Sequence, residues 1–366
     1  MSTNPIPYNQ SVEHPEADEA AVAQQLAETM LGISKKVYDD TGHANRSVHL
    51  KSHALLFGEM TVAEGLPEYL AQGLFAKGGT YPVTMRFSST PGDLLPDAVS
   101  TPRGLAIKVT GMDGDFIPSD QNPPSQDFLM VNGPAFQAPN AKAFLKNLKL
   151  LAATTDKGEG AKAILSKVLR GTEKIIEAAG GSSGKIRGMG GEPATHPLGE
   201  TYFTQVPLLY GAYMGKVSLA PVSPDLQSLK GKEINVDDDP YALRMAMLEY
   251  FANKGGEWDV KVQLCTDLKT MPIEDASVPW PEEKSPYMTV ARIKVGPQKA
   301  WDDERSSLID DSMSFSPWHC LAAHRPIGSV MRVRKLAYEM SAQYRLQKNG
   351  RVGASVNTCP IHNGTH

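Results

Sequence analysis

The segment Tyr81-Pro82-Val83-Thr84-Met85-Arg86-Phe87-Ser88 reads as a strand. Tyr81, Val83, Met85 and Phe87 alternate with polar or small residues, the period of two that sends successive side chains to opposite faces of a sheet. Leu105, Ile107 and Val109 repeat the pattern before Gly111, as do Trp258, Val260, Val262 and Leu264, and then Tyr287, Thr289, Ala291, Ile293 and Val295. Half-buried strands are therefore expected on both sides of the chain's middle. Elsewhere the period lengthens. Residues 16–40 space Ala20, Val22, Leu26, Met30, Leu31, Ile33 and Val37 at helical intervals, behind a Pro-containing leader expected to be mobile and without chemistry. Residues 140–154, 161–179 and 239–254 read as further helices, the last with Asp239 and Pro240 as cap and first turn and Gly255 as a stop. Residues 328–348 read as a long final helix with Val330, Val333, Leu336, Ala337, Met340 and Tyr344 on one stripe, and a tail is expected over 351–366. Strands early and late with helices between predict an α+β fold. Regular strand–helix alternation is missing and no Gly-x-Gly-x-x-Gly follows a strand, which argues against a dinucleotide fold. The polar stretches 110–125 and 180–199 read as surface loops rather than domain boundaries, because strands continue on both sides.

Composition removes several function classes. Of 366 residues, 41% are hydrophobic and 21% charged, which excludes a disordered chain, and a net charge of −4 gives no basic surface for nucleic acid. No apolar run approaches the roughly 20 residues of a membrane-spanning helix, and residues 1–10 carry no signal pattern, so no membrane association and a cytoplasmic protein are expected. Three cysteines, widely spread and without a Cys-x-x-Cys pair, predict reduced thiols rather than disulfides or a thiolate zinc site.

Two places could carry chemistry. Among nine histidines, His43, His49 and His53 cluster, and each is open to reading as a satisfied core residue or as a catalyst. His49 is set apart by Arg46-Ser47-Val48-His49, which on a strand would put Arg46 and Val48 on one face and His49 on the other. In the final helix Arg334, Tyr338 and Arg345 fall on one stripe. That stripe is either an exposed Arg–Tyr packing pair or a tyrosinate ligand for iron flanked by cations. A free phenol ionises near 10, so an anion at neutral pH needs about 4 kcal/mol of stabilisation, which a guanidinium one turn away and a ferric ion would both provide.

Taken in order, the motifs resemble the haem-dependent catalases, and in particular a minimal catalase-related protein, a catalase-like haem peroxidase. Arg334-Lys335-Leu336-Ala337-Tyr338 with Arg345 resembles that family's proximal ligand helix. Arg46-Ser47-Val48-His49 resembles the distal Arg-x-Val-His segment, Pro82 to Ser88 the Pro-Val-x-x-Arg-Phe-Ser strand, and Arg103-Gly104-Leu105-Ala106-Ile107-Lys108 the Arg-Gly-Phe-Ala-Val-Lys strand. The run from Asp127 through Asn132, Pro134 and Phe136 resembles the segment delivering a distal Asn, and Trp280-Pro281-Glu282 and Phe315-Ser316-Pro317 are similar to segments ahead of the proximal helix. The likeness spans about residues 40–350, and 41–350 is expected to be one haem-binding domain behind the 1–40 leader and helix.

The resemblance implies an antiparallel β-barrel, from strands in about 45–135 and 200–300, flanked by helices, with haem b between barrel and final helix and without the additional C-terminal domain of long catalases. It implies Tyr338 as axial ligand with Arg334 behind it, His49 as distal acid/base and Asn132 as distal donor. Ser88 would accept from the His49 ring. Arg46, Arg86 and Arg345 would pair with the haem propionates, and Val48 and Phe144 would pack on the porphyrin. The implied activity is peroxide consumption at ferric haem. A second hydrogen peroxide as reductant would make it a catalase and an organic donor a peroxidase; the short chain leans toward a peroxidase with some catalase activity, able to take bulkier peroxides, and a homo-oligomer is expected. Departures from the family pattern are Gln137, Ala342 and about ten extra residues between the Arg103 strand and Asn132, a loop that could reshape the channel. The rival readings are a fatty-acid hydroperoxide-rearranging enzyme resembling allene oxide synthases, where Val48 stands in place of the usual Thr, and a non-catalytic haem- or lipid-binding barrel. A zinc hydrolase built on His49 and His53, or on His319, Cys320 and His324, lacks an acidic third ligand at fitting spacing.

Overall fold

A computed structural model describes residues 4–90, 92, 94–119, 123–152 and 192–350. The expected helix at 161–179, most of the 180–199 loop and the expected tail lie outside these residues. Among the described residues nine strands form one antiparallel sheet: β1 (Ser52–Val62), β2 (Gly79–Ser89), β3 (Arg103–Val109), β4 (Gln126–Val131), β5 (Tyr202–Phe203), β6 (Leu208–Tyr210), β7 (Tyr213–Pro221), β8 (Gly256–Leu264) and β9 (Met288–Val295). Their spatial order is β5-β4-β3-β2-β1-β9-β8-β7-β6, and a further β5–β7 pairing closes eight of them into a barrel, with β6 hanging from β7. The fold is the expected α+β barrel flanked by helices.

Period-two patterning fills the barrel. Val83, Met85 and Phe87 of β2, Leu105, Ile107 and Val109 of β3, and Trp258, Val260, Val262 and Leu264 of β8 share one apolar core. The expectation of half-buried strands fails on one side of the wall. Thr84, Arg86 and Ser88 point away from that core yet are buried as well, at 5%, 2% and 3% exposure. Helices and connecting segments cover the outside of β1–β4, and a covered polar face on a barrel is where a site has room to form.

The covering layer comes from amphipathic helices. Among the described residues, α1 (Glu19–Thr41), α2 (Ala141–Ala152), α3 (Ala242–Asn253) and α4 (Ser329–Lys348) are the long ones. α1 ends where the sequence provides Gly42, which takes φ 71° and donates its N–H to the Tyr38 carbonyl, a left-handed cap open to glycine at little cost. Val22, Leu26, Met30 and Ile33 of α1 pack on Val333 and Ala337 of α4 and on Leu145 and Leu148 of α2. Burying one such leucine contributes about 1.5–3 kcal/mol. α4 thus gives one stripe to α1 and keeps the other, with Arg334, Tyr338 and Arg345, for the barrel side. No helix among the described residues is long and apolar enough to cross a membrane.

The leader is docked, contrary to expectation. Ile6 and Tyr8 donate backbone N–H groups to the carbonyls of Cys265 and Ala212, and Ile6, Tyr8 and Val12 pack against Met214, Met271, Trp280 and Ile327. Glu13 and Glu19 then bind Arg332 near the start of α4, together with Glu274. Apolar side chains and paired carboxylates outweigh the Pro-rich composition that suggested mobility.

Candidate active site

A cleft of about 870 Å³, its open mouth included, lies between α4 and the outer face of the barrel. Arg46, Val48, His49, Arg86, Ser88, Arg334, Tyr338 and Arg345 all line it. On α4, residues 334, 338 and 345 are separated by whole turns to within about 40°, so one stripe delivers all three. Arg334 Nη2 donates to the Tyr338 phenolic oxygen at 2.5 Å, with the guanidinium carbon 5.1 Å from the ring centroid.

His49 does not sit on a strand. Residues 46–49 form an irregular segment ahead of β1, with His49 at φ 53°, and Arg46, Ser47, Val48 and His49 all face the cleft instead of alternating. A positive φ is uncommon for a residue with a side chain and marks a backbone held by its surroundings. The His49 N–H donates to the Thr90 carbonyl at 2.8 Å, and ring Nδ1 lies 3.2 Å from Ser88 Oγ. Beneath the ring is Gly104, where an added Cβ would stand 2.3 Å from His49 Nδ1 and 3.0 Å from Ser88 Oγ. Sequence reasoning passed over Gly104, although a glycine inside a strand signals close approach by another group. Burial first, and then the charges of Arg86, Arg334 and Arg46, lower the His49 pKa to about 3, so the imidazole is neutral near pH 7.

At the other end three guanidinium groups converge. Arg86 Nε donates to Asp310 Oδ1 at 2.6 Å, and Arg46 Nη1 donates to the same oxygen at 3.1 Å and to the Asp310 carbonyl. Arg345 Nη2 and Arg46 Nη2 both donate to the Met313 carbonyl. The acceptors lie in or just after the wide helical turn Ser306–Ser312, which has no apolar periodicity and went unnoticed in the sequence. Burial, then Arg86 beside it, lowers the Arg345 pKa to about 10. Burial alone would raise the Asp310 carboxyl, but Arg86 and Arg46 bring it down to about 2.

Two expected residues stand off the cleft lining. Asn132 Oδ1 accepts from the Arg103 backbone N–H at 2.9 Å and its Nδ2 donates to Glu192 at 2.9 Å, so both ends of the amide are engaged within the protein. Phe144 stacks edge-on against Phe136, ring centroids 5.0 Å apart, and it is Phe136 that lines the cleft. Gln205, which the sequence did not single out, lines it too. The histidines of the zinc reading are engaged elsewhere: His53 with Ser89, His319 with Asp127, His324 with the Leu74 N–H. Among the described residues no group of three or more His, Cys, Asp or Glu is placed to hold a metal ion.

Solved structures with this architecture include a fungal catalase (TM-score 0.60, 16% identity, covering 91% of this chain and 65% of that one) and catalase A from Saccharomyces cerevisiae (0.60, 16%, 91% and 67%). A bacterial catalase also matches, at TM-score 0.55 and 15% identity over 99% of this chain and 66% of that one. The chain thus spans about two thirds of the length of the catalases it matches, 65% for the fungal one. No protein-family model matches the sequence, and no curated protein matches it. At this identity the likeness establishes a catalase-type fold.

Proposed function

We propose that the chain holds haem b in this cleft and consumes peroxides with it, as a catalase-like peroxidase with some dismutation of hydrogen peroxide. The observation that carries the reading is the pairing, across one cleft, of a phenol bound by a guanidinium on the helix wall with a buried neutral imidazole on the barrel wall. The catalase-type fold raises the expectation.

The residues suit the group. Arg46, Arg86 and Arg345 bring three buried cations to a place where Asp310 is the one carboxylate bonded to them among the described residues, a balance that favours a ligand bearing carboxylates, as the haem propionates are. Tyr338 would hold the iron through its phenolic oxygen, and the Arg334 N–H donated to that oxygen would favour negative charge there. Val48 would pack on the porphyrin, with Phe136 in the role assigned by sequence to Phe144. When bound, ferric haem with tyrosinate ligation supplies the redox chemistry at the O–O bond. His49 does the proton work. With Nδ1–H donated to Ser88, Nε2 is the free base that takes a proton from the nearer peroxide oxygen and returns it to the farther one. Asn132, with its amide engaged, would act on the peroxide only after leaving Glu192.

Titrating the purified chain with haem while recording the visible spectrum tests the reading. Stoichiometric binding with an intense Soret band is expected, with binding greatly weakened in Tyr338→Phe. In His49→Ala, haem is expected to stay and peroxide consumption to fall by about 10² or more. Unchanged haem affinity in Tyr338→Phe would remove the axial-ligand assignment. Oxygen released from hydrogen peroxide, compared with oxidation of a dye donor, apportions catalase and peroxidase activity.

A further inference from the structure

We infer that Gln205 supplies the second side-chain contact to hydrogen peroxide in the cleft, its amide oxygen accepting the peroxide O–H that His49 does not take, so that it selects hydrogen peroxide over alkyl hydroperoxides. The inference rests on the peroxide reading above and adds a residue and a specificity to it.

Three observations converge on Gln205. It has φ 64°; among the described residues only His49 is another non-glycine at positive φ. Such backbones are strained and cluster at functional sites. Its orientation is also fixed. Nε2 donates to the Gly133 carbonyl at 3.0 Å and to the Ala135 carbonyl at 2.7 Å, which uses both amide hydrogens and leaves Oε1 as an acceptor. Gln205 lines the cleft and is 7% exposed.

Strand register places it beside the imidazole wall. Ser88 pairs with Gly104, Gly104 with Val131, and Val131 with Phe203, one row across β2, β3, β4 and β5. His49 rests on Gly104, which lies about two strand spacings, roughly 10 Å, from Phe203, and Gln205 follows Phe203 by two residues. Two side chains reaching inward across that gap leave room for a small molecule. Asn132, next to Val131 in the chain, is committed to Arg103 and Glu192.

The chemistry gives the selectivity. Hydrogen peroxide has two O–H groups: one gives its proton to His49 Nε2, and the other donates to Gln205 Oε1. In an alkyl hydroperoxide the second oxygen carries carbon and has nothing to donate. One neutral hydrogen bond is worth about a 3- to 10-fold change in rate.

The test compares haem-loaded wild type, Gln205→Leu and Gln205→Asn. In both variants kcat/KM for hydrogen peroxide is expected to fall about 3- to 10-fold while that for tert-butyl hydroperoxide holds within about twofold. Gln205→Asn tolerates the positive φ but withdraws the oxygen by one methylene, so it serves if the Leu variant does not fold. Cyanide affinity, read from the haem band, is expected to be unchanged, because the single proton of HCN goes to His49. In the apo chain Gln205→Gly is expected to melt above Gln205→Leu, since both lose the amide but only leucine keeps the backbone penalty. Equal losses for both peroxides, no loss for either, or weakened cyanide binding would overturn the inference. Failure of wild type to bind haem would instead overturn the peroxide reading on which it stands.

Discussion

His49 owes its charge state to its surroundings. Burial, with Arg86, Arg334 and Arg46 near, brings its pKa from 6.5 to about 3, and burial brings His196 and His324 to about 4. In the unfolded chain these rings take up protons as pH falls through about 6.5, while in the fold they resist until pH 3–4. The stability they contribute is therefore complete above about pH 6.5 and lost as pH falls toward 3–4, and the urea midpoint should drop steadily over that window. Catalysis should follow a different curve. Because His49 stays neutral, kcat/KM for peroxide is expected to show no acid limb near pH 6.5 between pH 5 and 8, and such a limb would show that the base is not this buried imidazole. The sequence marked His49 by its neighbours Arg46 and Val48. It could not show the positive φ, which depends on the Thr90 carbonyl and on contacts distant in the chain.

Among the elements, strands and helices with clean periods were legible: β2, β3, β8 and β9 from alternation, α1 and α4 from apolar stripes. β7 was not, because it is buried on both faces and no alternation marks it. The Ser306–Ser312 turn was hidden for the opposite reason, being polar and without period although it receives Arg46 and Arg86. At the site, the α4 stripe could be read because helix geometry fixes its spacing. The engagement of Asn132 by Glu192 could not, because the two lie 60 positions apart in sequence. Gly104 belongs to β3 and serves the ring above it. Gly104→Ala would press a methyl group within 2.3 Å of His49 Nδ1 while leaving the β2–β3 hydrogen bonds in place. Peroxide turnover is expected to fall at least tenfold with haem still bound. Kinetics alongside the visible spectrum distinguish this from a general loss of fold.

Across the whole molecule, residues 6–19 and the final helix are fastened together. Arg332 donates to Glu13, Glu19 and Glu274 through five hydrogen bonds of 2.7–3.1 Å. Arg332→Met leaves three carboxylates facing one another and is expected to cost roughly 1–3 kcal/mol, seen as a lower urea midpoint with an unchanged slope. Composition pointed the other way, since prolines at positions 5, 7 and 15 suggest a loose leader and long-range pairing leaves no mark in local pattern. The ring of strands has a thin join. β5 contributes two residues, meeting β4 through Val131 alone and β7 through Leu219 and Ser218. A seam of so few rungs unzips at far lower free energy than the long β1–β2 ladder, so in deuterated solvent its amides should exchange by local breathing while the opposite wall stays sealed. Gln205 stands at that seam, two residues beyond β5, so its hold on the Gly133 and Ala135 carbonyls bridges the thin join.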